Sequence, residues 1–289
     1  MIEIADKQDS YELIDSGEGE KLERFGQYIL SRPDPEALWQ KANKDIWEKA
    51  HAIYTRKGAS GTWKSDKTIP KKWDIEYGGL SIELRPTSFK HVGLFPEQIS
   101  HWKWLESKVE SQKSKVGTPR VLNLFAYTGG ATLVCAKAGA EVTHVDSSKV
   151  AIDWARKNAE LSGLKNAPIR WIEDDCLKFL RREVKRGNKY DVIVMDPPAF
   201  GHGKGGAMWK IEKDFFELFS LVEKVLSDTP IAVLINGYTA GYSSIAFANN
   251  LESIKARHGG YIENGELTLK ETATERLLPA GIFARWYLK

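Results

Sequence analysis

Cysteine and long apolar runs are what this sequence has least of. Two cysteines in 289 residues cannot make a disulfide framework, so a reducing, cytoplasmic setting is expected. No stretch approaches the ~18 consecutive apolar residues of a membrane helix, and no membrane partner is expected. The first ten residues carry three acidic groups and no apolar core, so they do not read as a secretory signal. Excess charge is scarce too: 42 Lys/Arg against 39 Asp/Glu leave +3, too little to argue for a nucleic-acid partner by itself. Internal repeats and low-complexity tracts are missing. What remains, 42% hydrophobic and 28% charged residues, is ordinary globular composition, and the length suits one large α/β domain with an appendage.

Charge is unevenly placed. Residues 1–50 hold twelve Asp/Glu against seven Lys/Arg, whereas residues 51–120 hold thirteen Lys/Arg against seven Asp/Glu. The basic stretch also carries Tyr54, Trp63, Trp73, Tyr77, Phe89, Phe95, Trp102 and Trp104. Cations interleaved with aromatics suit an RNA strand, through phosphate contacts and base stacking. The same aromatics suit the core of a small domain that needs large side chains to fill it.

Along the N-terminal part, Tyr11–Asp15 and Phe25–Leu30 read as short strands, and Pro33 with Pro35 ends the second. Leu38, Ala42, Ile46, Ala50 and Ile53 at helical spacing predict a helix over 37–54. Trp73–Tyr77 and Leu80–Leu84 flank Gly78-Gly79 and predict a hairpin. A small mixed subdomain is therefore expected at 1–85 and the main domain at 86–289. After Pro96 a helix is expected from 97 to 109.

From Arg120 strand and helix alternate. Strands are expected at 120–125, 141–145, 169–173, 190–195 and 229–235, with helices at 130–139, 148–162, 176–187 and 211–227 between them. Ser147 and Ser148 suit the start of the second helix and Gly163 its end. Another helix follows Ser243, and residues 266–270 and 281–288 close the chain as an antiparallel pair. The fold class is thus α/β: a Rossmann-like, mostly parallel seven-stranded sheet with an antiparallel C-terminal strand, plus the small N-terminal subdomain.

The stretch Val121-Leu-Asn123-Leu-Phe125-Ala-Tyr127-Thr128-Gly129-Gly130 organises the rest. It reads as strand, tight turn and helix start, which aims backbone N–H groups at a small ligand. The next strand ends on Asp146, placed to accept both hydroxyls of a ribose. A dinucleotide is disfavoured, because its pyrophosphate needs G-x-G-x-x-G and here Phe125 and Tyr127 carry bulk. S-adenosyl-L-methionine, with ribose and adenine but no phosphate, fits better. Asp174-Asp175-Cys176 follows the third strand, where a carboxylate can accept the adenine amino group. Asp196-Pro197-Pro198-Ala199-Phe200 follows the fourth. Two prolines fix the backbone there and leave carbonyls free to accept from a substrate amine or hydroxyl, and Phe200 could stack on an extruded base. The loop Gly201-His-Gly-Lys-Gly-Gly206 is basic enough to act as a lid over an anionic substrate. It lacks the Lys-[Ser/Thr] order of a P-loop, and no metal is expected.

These motifs together resemble class I S-adenosylmethionine-dependent methyltransferases. Within them the similarity is to the group of bacterial 23S ribosomal-RNA cytosine-C5 and guanine-N7 methyltransferases. It covers about 80–289 and fades before residue 80. The resemblance implies that Tyr127, Thr128 and Gly129 line the methionine part of the cofactor, Asp146 the ribose and Asp175 the adenine. Cys176 would add a backbone contact, and Asp196 would face the sulfonium. Asn123, Phe125 and Ser147 complete the implied cofactor set. Phe95 and Gln98 join it through the Phe95-Pro96-Glu97-Gln98 connector, which resembles a segment that closes over the cofactor.

One departure bears on the chemistry. Cytosine-C5 members attack the base with a cysteine after strand five, because ring carbon five is not nucleophilic until a thiolate adds at carbon six. Here that segment is Leu234-Ile-Asn-Gly-Tyr-Thr239, with no cysteine. The expectation is therefore direct transfer to a nitrogen or oxygen of ribosomal RNA, with Asp196, Pro197, Pro198 and Phe200 handling the acceptor. A protein or small-molecule substrate, DNA amino-methylation, and an RNA-binding relative without turnover remain as alternatives. Either a monomer or a homodimer is compatible with the sequence.

Overall fold

The computed structural model describes residues 1–58, 60–65, 69–202, 208–238 and 241–289, with no side-chain account of 112–116 and 202. Two compact units emerge, neither following the expected division at 85/86. One comprises Glu3–Ser100 with Leu267–Ala280, the other Met1–Ile2, His101–Glu266 and Gly281–Lys289.

In chain order the first eight strands are β1 (Ile2–Ile4), β2 (Tyr11–Gly17), β3 (Glu20–Phe25), β4 (Tyr28–Pro33), β5 (Ala52–Lys57), β6 (Ser60–Lys64), β7 (Trp73–Tyr77) and β8 (Leu80–Leu84). Strands β2 to β6 form one sheet in sequence order, and β7–β8 is the expected hairpin. The helix expected at 37–54 does not form. Only a 3-10 turn, Lys44–Lys49, is helical, and β5 pairs in parallel with β4 through Leu30–Ala52 and Ser31–Ile53. A helix there would have buried Leu38 and Ile53, yet Leu38 is 88% exposed. Buried Asp15 decides the outcome. Its carboxylate accepts from the Trp47 indole at 2.9 Å and the Ala42 N–H at 3.1 Å, contacts that a continuous helix would break.

Of the eight aromatics of the basic stretch three are core, Tyr54, Tyr77 and Trp102, and four are partly buried. Tyr54 and Tyr77 are buried, and the indoles of Trp63 and Trp73 donate to the backbone carbonyls of Thr87 and Phe25. Phe89, 63% exposed, is the exception. A buried ion pair stiffens β3 and β4. Arg32 holds Glu23 at 2.6 Å, and Tyr11 donates to the same carboxylate at 2.8 Å. Burial opposes ionisation of Glu23, but the Arg32 guanidinium, the Lys21 ammonium and the Tyr11 hydroxyl together outweigh it and keep the carboxyl below its ordinary range. Replacing Arg32 by alanine strands a buried charge, so chemical denaturation should show a loss of about 3–5 kcal/mol.

The larger unit carries α1 (Ile99–Val116), β9 (Arg120–Leu124), α2 (Gly130–Lys137), β10 (Glu141–Asp146), α3 (Lys149–Leu161), β11 (Ile169–Glu173), α4 (Cys176–Arg186) and β12 (Val192–Met195). There follow β13 (Phe200–His202), β14 (Met208–Lys210), α5 (Ile211–Val225), β15 (Ala232–Gly237), α6 (Ser244–His258), β16 (Tyr261–Lys270) and β17 (Leu277–Tyr287). The main sheet runs β1-β16-β17-β15-β12-β9-β10-β11, with β15-β12-β9-β10-β11 parallel and β17 antiparallel to β15. The seven expected strands are all present, and β1 makes an eighth at the edge. That strand is too short to show a period, and it forms because Gly265 lets Met1 lie close and the Glu266 N–H reaches the Met1 carbonyl at 3.0 Å. Capping follows expectation in part: Ser148 alone is the N-cap of α3, accepting from the Ala151 N–H at 3.2 Å, and Gly163 takes φ +72° just after it.

Candidate active site

Register places the candidate residues in one row. Met195 pairs with Leu124, Leu124 with Val145, and Val145 with Ile172, so these four strands finish level. Beyond them come Asp196, Phe125, Asp146 and Glu173, with Asn236 following Ile235, the partner of Met195. Winding reverses between β9 and β12, since the chain lays β10 and β11 on one side and then returns to the other. Ligands bind at such a point, outside the carboxyl ends of the strands.

The loop after β9 is strained and tightly held. Phe125 and Tyr127 adopt φ of +55° and +48°, left-handed values that cost a side-chain-bearing residue about 1–3 kcal/mol each. Two bonds hold the loop. The Ala126 N–H donates to the Val145 carbonyl at 3.1 Å, and the Tyr127 N–H to Asp146 Oδ2 at 2.9 Å. Gly129, at φ +89°, starts α2, and the Thr128 carbonyl accepts from the buried Asn158 amide at 3.0 Å. Any side chain at Gly130 would run into the ring of buried Trp102. Gly130→Ala should therefore cost about 1–3 kcal/mol in thermal unfolding, and pairing it with Trp102→Leu should restore most of that.

Beneath the loop, Asn123 donates to Thr132 at 3.0 Å, and Thr132 bonds His144 Nδ1 at 2.9 Å. Burial pushes the His144 pKa down to about 3, with Arg156 adding to the effect. His144 is thus a neutral strut. Its ring signals should not titrate between about pH 8 and 5 in NMR spectra, where an ordinary histidine would.

Asp146 is half-buried, and its two oxygens are already oriented. Oδ2 takes the Tyr127 N–H, and Oδ1 takes the Ser148 N–H at 2.8 Å. Burial holds its carboxyl above the ordinary range, against the pull of three backbone N–H groups. A carboxylate has about four acceptor sites, so capacity remains for hydroxyl donors. Asp175 caps α4, taking the Lys178 N–H at 2.9 Å on one oxygen. Asp174 is paired with Arg182. Cys176 and Cys135 are both buried; burial raises the Cys176 thiol well above its usual value and Cys135 to about 12.

At the next strand end Asp196 is half-buried and Pro197 buried. One expectation needs correcting: the Pro198 carbonyl is not left free, because the Trp209 indole donates to it at 2.6 Å. Trp209 also lies 5.1 Å from the Phe125 ring and thereby links the second loop to the first. Phe200 is 52% exposed on β13, which pairs with β14. Of the expected lid, Gly201 and His202 belong to that ribbon, and 203–206 lie outside the described residues.

The structure thus brings together Asn123, Phe125, Tyr127, Thr128, Gly129, Asp146, Ser147, Asp175, Cys176, Asp196, Pro197, Pro198 and Phe200 at one end of the sheet. Phe95 and Gln98 fall in the other unit, on the 3-10 turn Pro96–Gln98 and its cap. Trp102, Trp209, Thr132 and Asn158 were not legible as site residues, since nothing in their neighbouring sequence distinguishes them from core.

The family model described as S-adenosylmethionine-dependent methyltransferase matches residues 39–248. The chain belongs to that family. A ribosomal RNA large subunit methyltransferase K/L from Shewanella baltica is 34% identical over 218 residues, 74% of this chain and 28% of the relative. One from Pseudoalteromonas atlantica is 32% identical, over 72% of this chain and 26% of the relative. The chain spans little more than a quarter of the length of these curated relatives. The crystal structure of the S-adenosylmethionine-dependent methyltransferase from Agrobacterium tumefaciens matches with a TM-score of 0.93 and 38% identity, covering 100% of this chain and 94% of that one. A methyltransferase crystallised with S-adenosylhomocysteine matches at TM-score 0.73 and 16% identity, over 96% of this chain and 75% of that one, and shares the fold.

The cofactor of this methyltransferase is S-adenosylmethionine, as the motifs led one to expect. The residues fit such a ligand. Segment 121–130 contains no cationic side chain to meet a phosphate, whereas carboxylates at 146, 175 and 196 suit a cationic sulfonium nucleoside. Among the described residues no helix is long and apolar enough to cross a membrane.

Proposed function

We propose that this methyltransferase passes the sulfonium methyl of S-adenosylmethionine directly to a nitrogen or oxygen of ribosomal RNA. The names of the curated relatives support the substrate, and the level row of strand ends, with Asp146 and Asp196 flanking the strained loop, supports the chemistry. Asp146 accepts the ribose hydroxyls, Asp175 the adenine amino group through its remaining oxygen, and the Tyr127–Gly129 backbone meets the methionine part. Asp196 orients the acceptor, Pro197 and Pro198 hold its backbone rigid, and Phe200 stacks on the base. In-line displacement needs little acid–base help, and holding the acceptor about 3–3.5 Å from the methyl supplies much of the rate.

Neither thiol is placed for covalent chemistry, since both are buried and hard to ionise. A Cys135→Ala/Cys176→Ser protein should keep turnover within about tenfold, against the loss on the order of 10⁶ that follows removal of a true nucleophile. Binding should also depend on pH through Asp146. Its raised pKa means that calorimetric affinity for S-adenosylhomocysteine falls on acidification from a higher pH than an ordinary aspartate near 3.9 would give, and Asp146→Asn removes that dependence.

The deciding experiment is incubation with tritiated cofactor and separate RNA, DNA and protein fractions. Label in large-subunit RNA supports this reading; label in protein alone refutes it; tight cofactor binding without transfer to any fraction indicates a relative that has lost turnover.

A further inference from the structure

The ribbon β13–β14 carries a surface that the cofactor site does not use. Its register, Phe200–Lys210, Gly201–Trp209 and His202–Met208, sets Phe200, Met208 and Lys210 on one face and Trp209 on the other. The Trp209 face is fastened down: the residue is buried, bonded to the Pro198 carbonyl and packed on the Phe125 ring. The backbone N–H of Lys210 is held by Asp214 at 2.7 Å. The opposite face is the more exposed one, with Phe200 and Met208 52% and 54% exposed. The Lys210 ammonium makes no ion pair among the described residues.

We propose that this outward face docks the unpaired RNA nucleotides that flank the acceptor, an inference that rests on the RNA reading above. Three properties of the face match a single strand. Met208 offers polarizable apolar surface to the base next to the one on which Phe200 stacks, whatever its sequence. Lys210 on the same face supplies the charge that a phosphodiester needs, which an apolar peptide would not. Phe200 lies four residues after Asp196, so a strand lying along the ribbon leads to the strand end where the acceptor is oriented. The Trp209 tether makes the platform rigid with respect to the cofactor loop, so docked nucleotides set the position of the target base.

The test uses the full chain, saturated with S-adenosylhomocysteine, and a fluorescein-labelled single-stranded oligoribonucleotide of about twelve nucleotides. Met208→Ala should weaken anisotropy-measured binding about two- to tenfold, as loss of one thioether–ring contact does. Lys210→Gln should reduce the slope of log affinity against log salt by about 0.7, one phosphate contact on a single strand. Cofactor affinity should stay at the wild-type value in both. In turnover on large-subunit RNA, Met208→Ala should raise KM more than it lowers kcat. Wild-type affinity and salt slope in both variants would overturn the proposal. So would a concentration-dependent dimer in sedimentation that Met208→Ala dissociates, because the face would then belong to a second copy. The binding assay needs no turnover, so failure of wild-type protein to label any RNA counts against the substrate reading separately.

Discussion

Asp196→Ala is expected to abolish methyl transfer, by about 10³-fold or more in kcat, while the dissociation constant for S-adenosylhomocysteine changes less than about fivefold. The separation follows from position. Asp196 begins the Asp-Pro-Pro segment directly after β12, and the Trp209 indole, packed on the Phe125 ring, donates to the Pro198 carbonyl at the other end of that segment. The loop after β9 is held by bonds to Asp146 and Val145. Removing the Asp196 carboxylate is thus expected to cost acceptor positioning far more than cofactor binding, and a loss of 10³ corresponds to about 4 kcal/mol of lost positioning at 1.36 kcal/mol per decade. Tritium transfer to RNA gives kcat and calorimetry gives the binding constant. Parallel losses in both would mean that Asp196 only builds the cofactor site.

The second large effect is expected on binding. Asp146→Ala should weaken S-adenosylhomocysteine by about 10²–10⁴-fold. Two hydrogen bonds from ribose hydroxyls to a charged acceptor contribute roughly 1.5–3 kcal/mol each, so their joint loss spans that range. The substitution also withdraws the acceptor from the Tyr127 and Ser148 N–H groups, one of which helps to keep Tyr127 at φ +48°. Asp146→Asn keeps an acceptor oxygen and should lose less. If calorimetry shows alanine and asparagine equally close to wild type, the ribose assignment is wrong.

Much of the larger unit was legible because its signals are local. Short apolar runs bounded by Gly, Pro and Ser located β9 to β12, and carboxylates immediately after those runs located Asp146, Asp175 and Asp196. The helix expected at 37–54 failed for the opposite reason. Leu38, Ala42, Ile46, Ala50 and Ile53 keep a helical period, but Asp15, some thirty residues earlier, takes Trp47 and Ala42 as partners and β4 takes Ala52. A periodic pattern carries no information about a buried carboxylate elsewhere that needs donors. The Pro198 carbonyl was misread in the same way, since the indole that occupies it comes from Trp209, across a segment rich in glycine.

By itself, then, the sequence determined the alternating strand–helix order, the acidic residues at the strand ends and the absence of a thiol after the fifth strand. These depend on neighbours a few positions apart. Only the tertiary structure decided that four strands finish level, that Phe125 and Tyr127 are held in left-handed geometry, and that Trp209 ties the Asp196-Pro197-Pro198 segment to the loop after β9. Each of these needs groups distant in the chain to meet, and backbone pairing and burial, rather than local preference, bring them together.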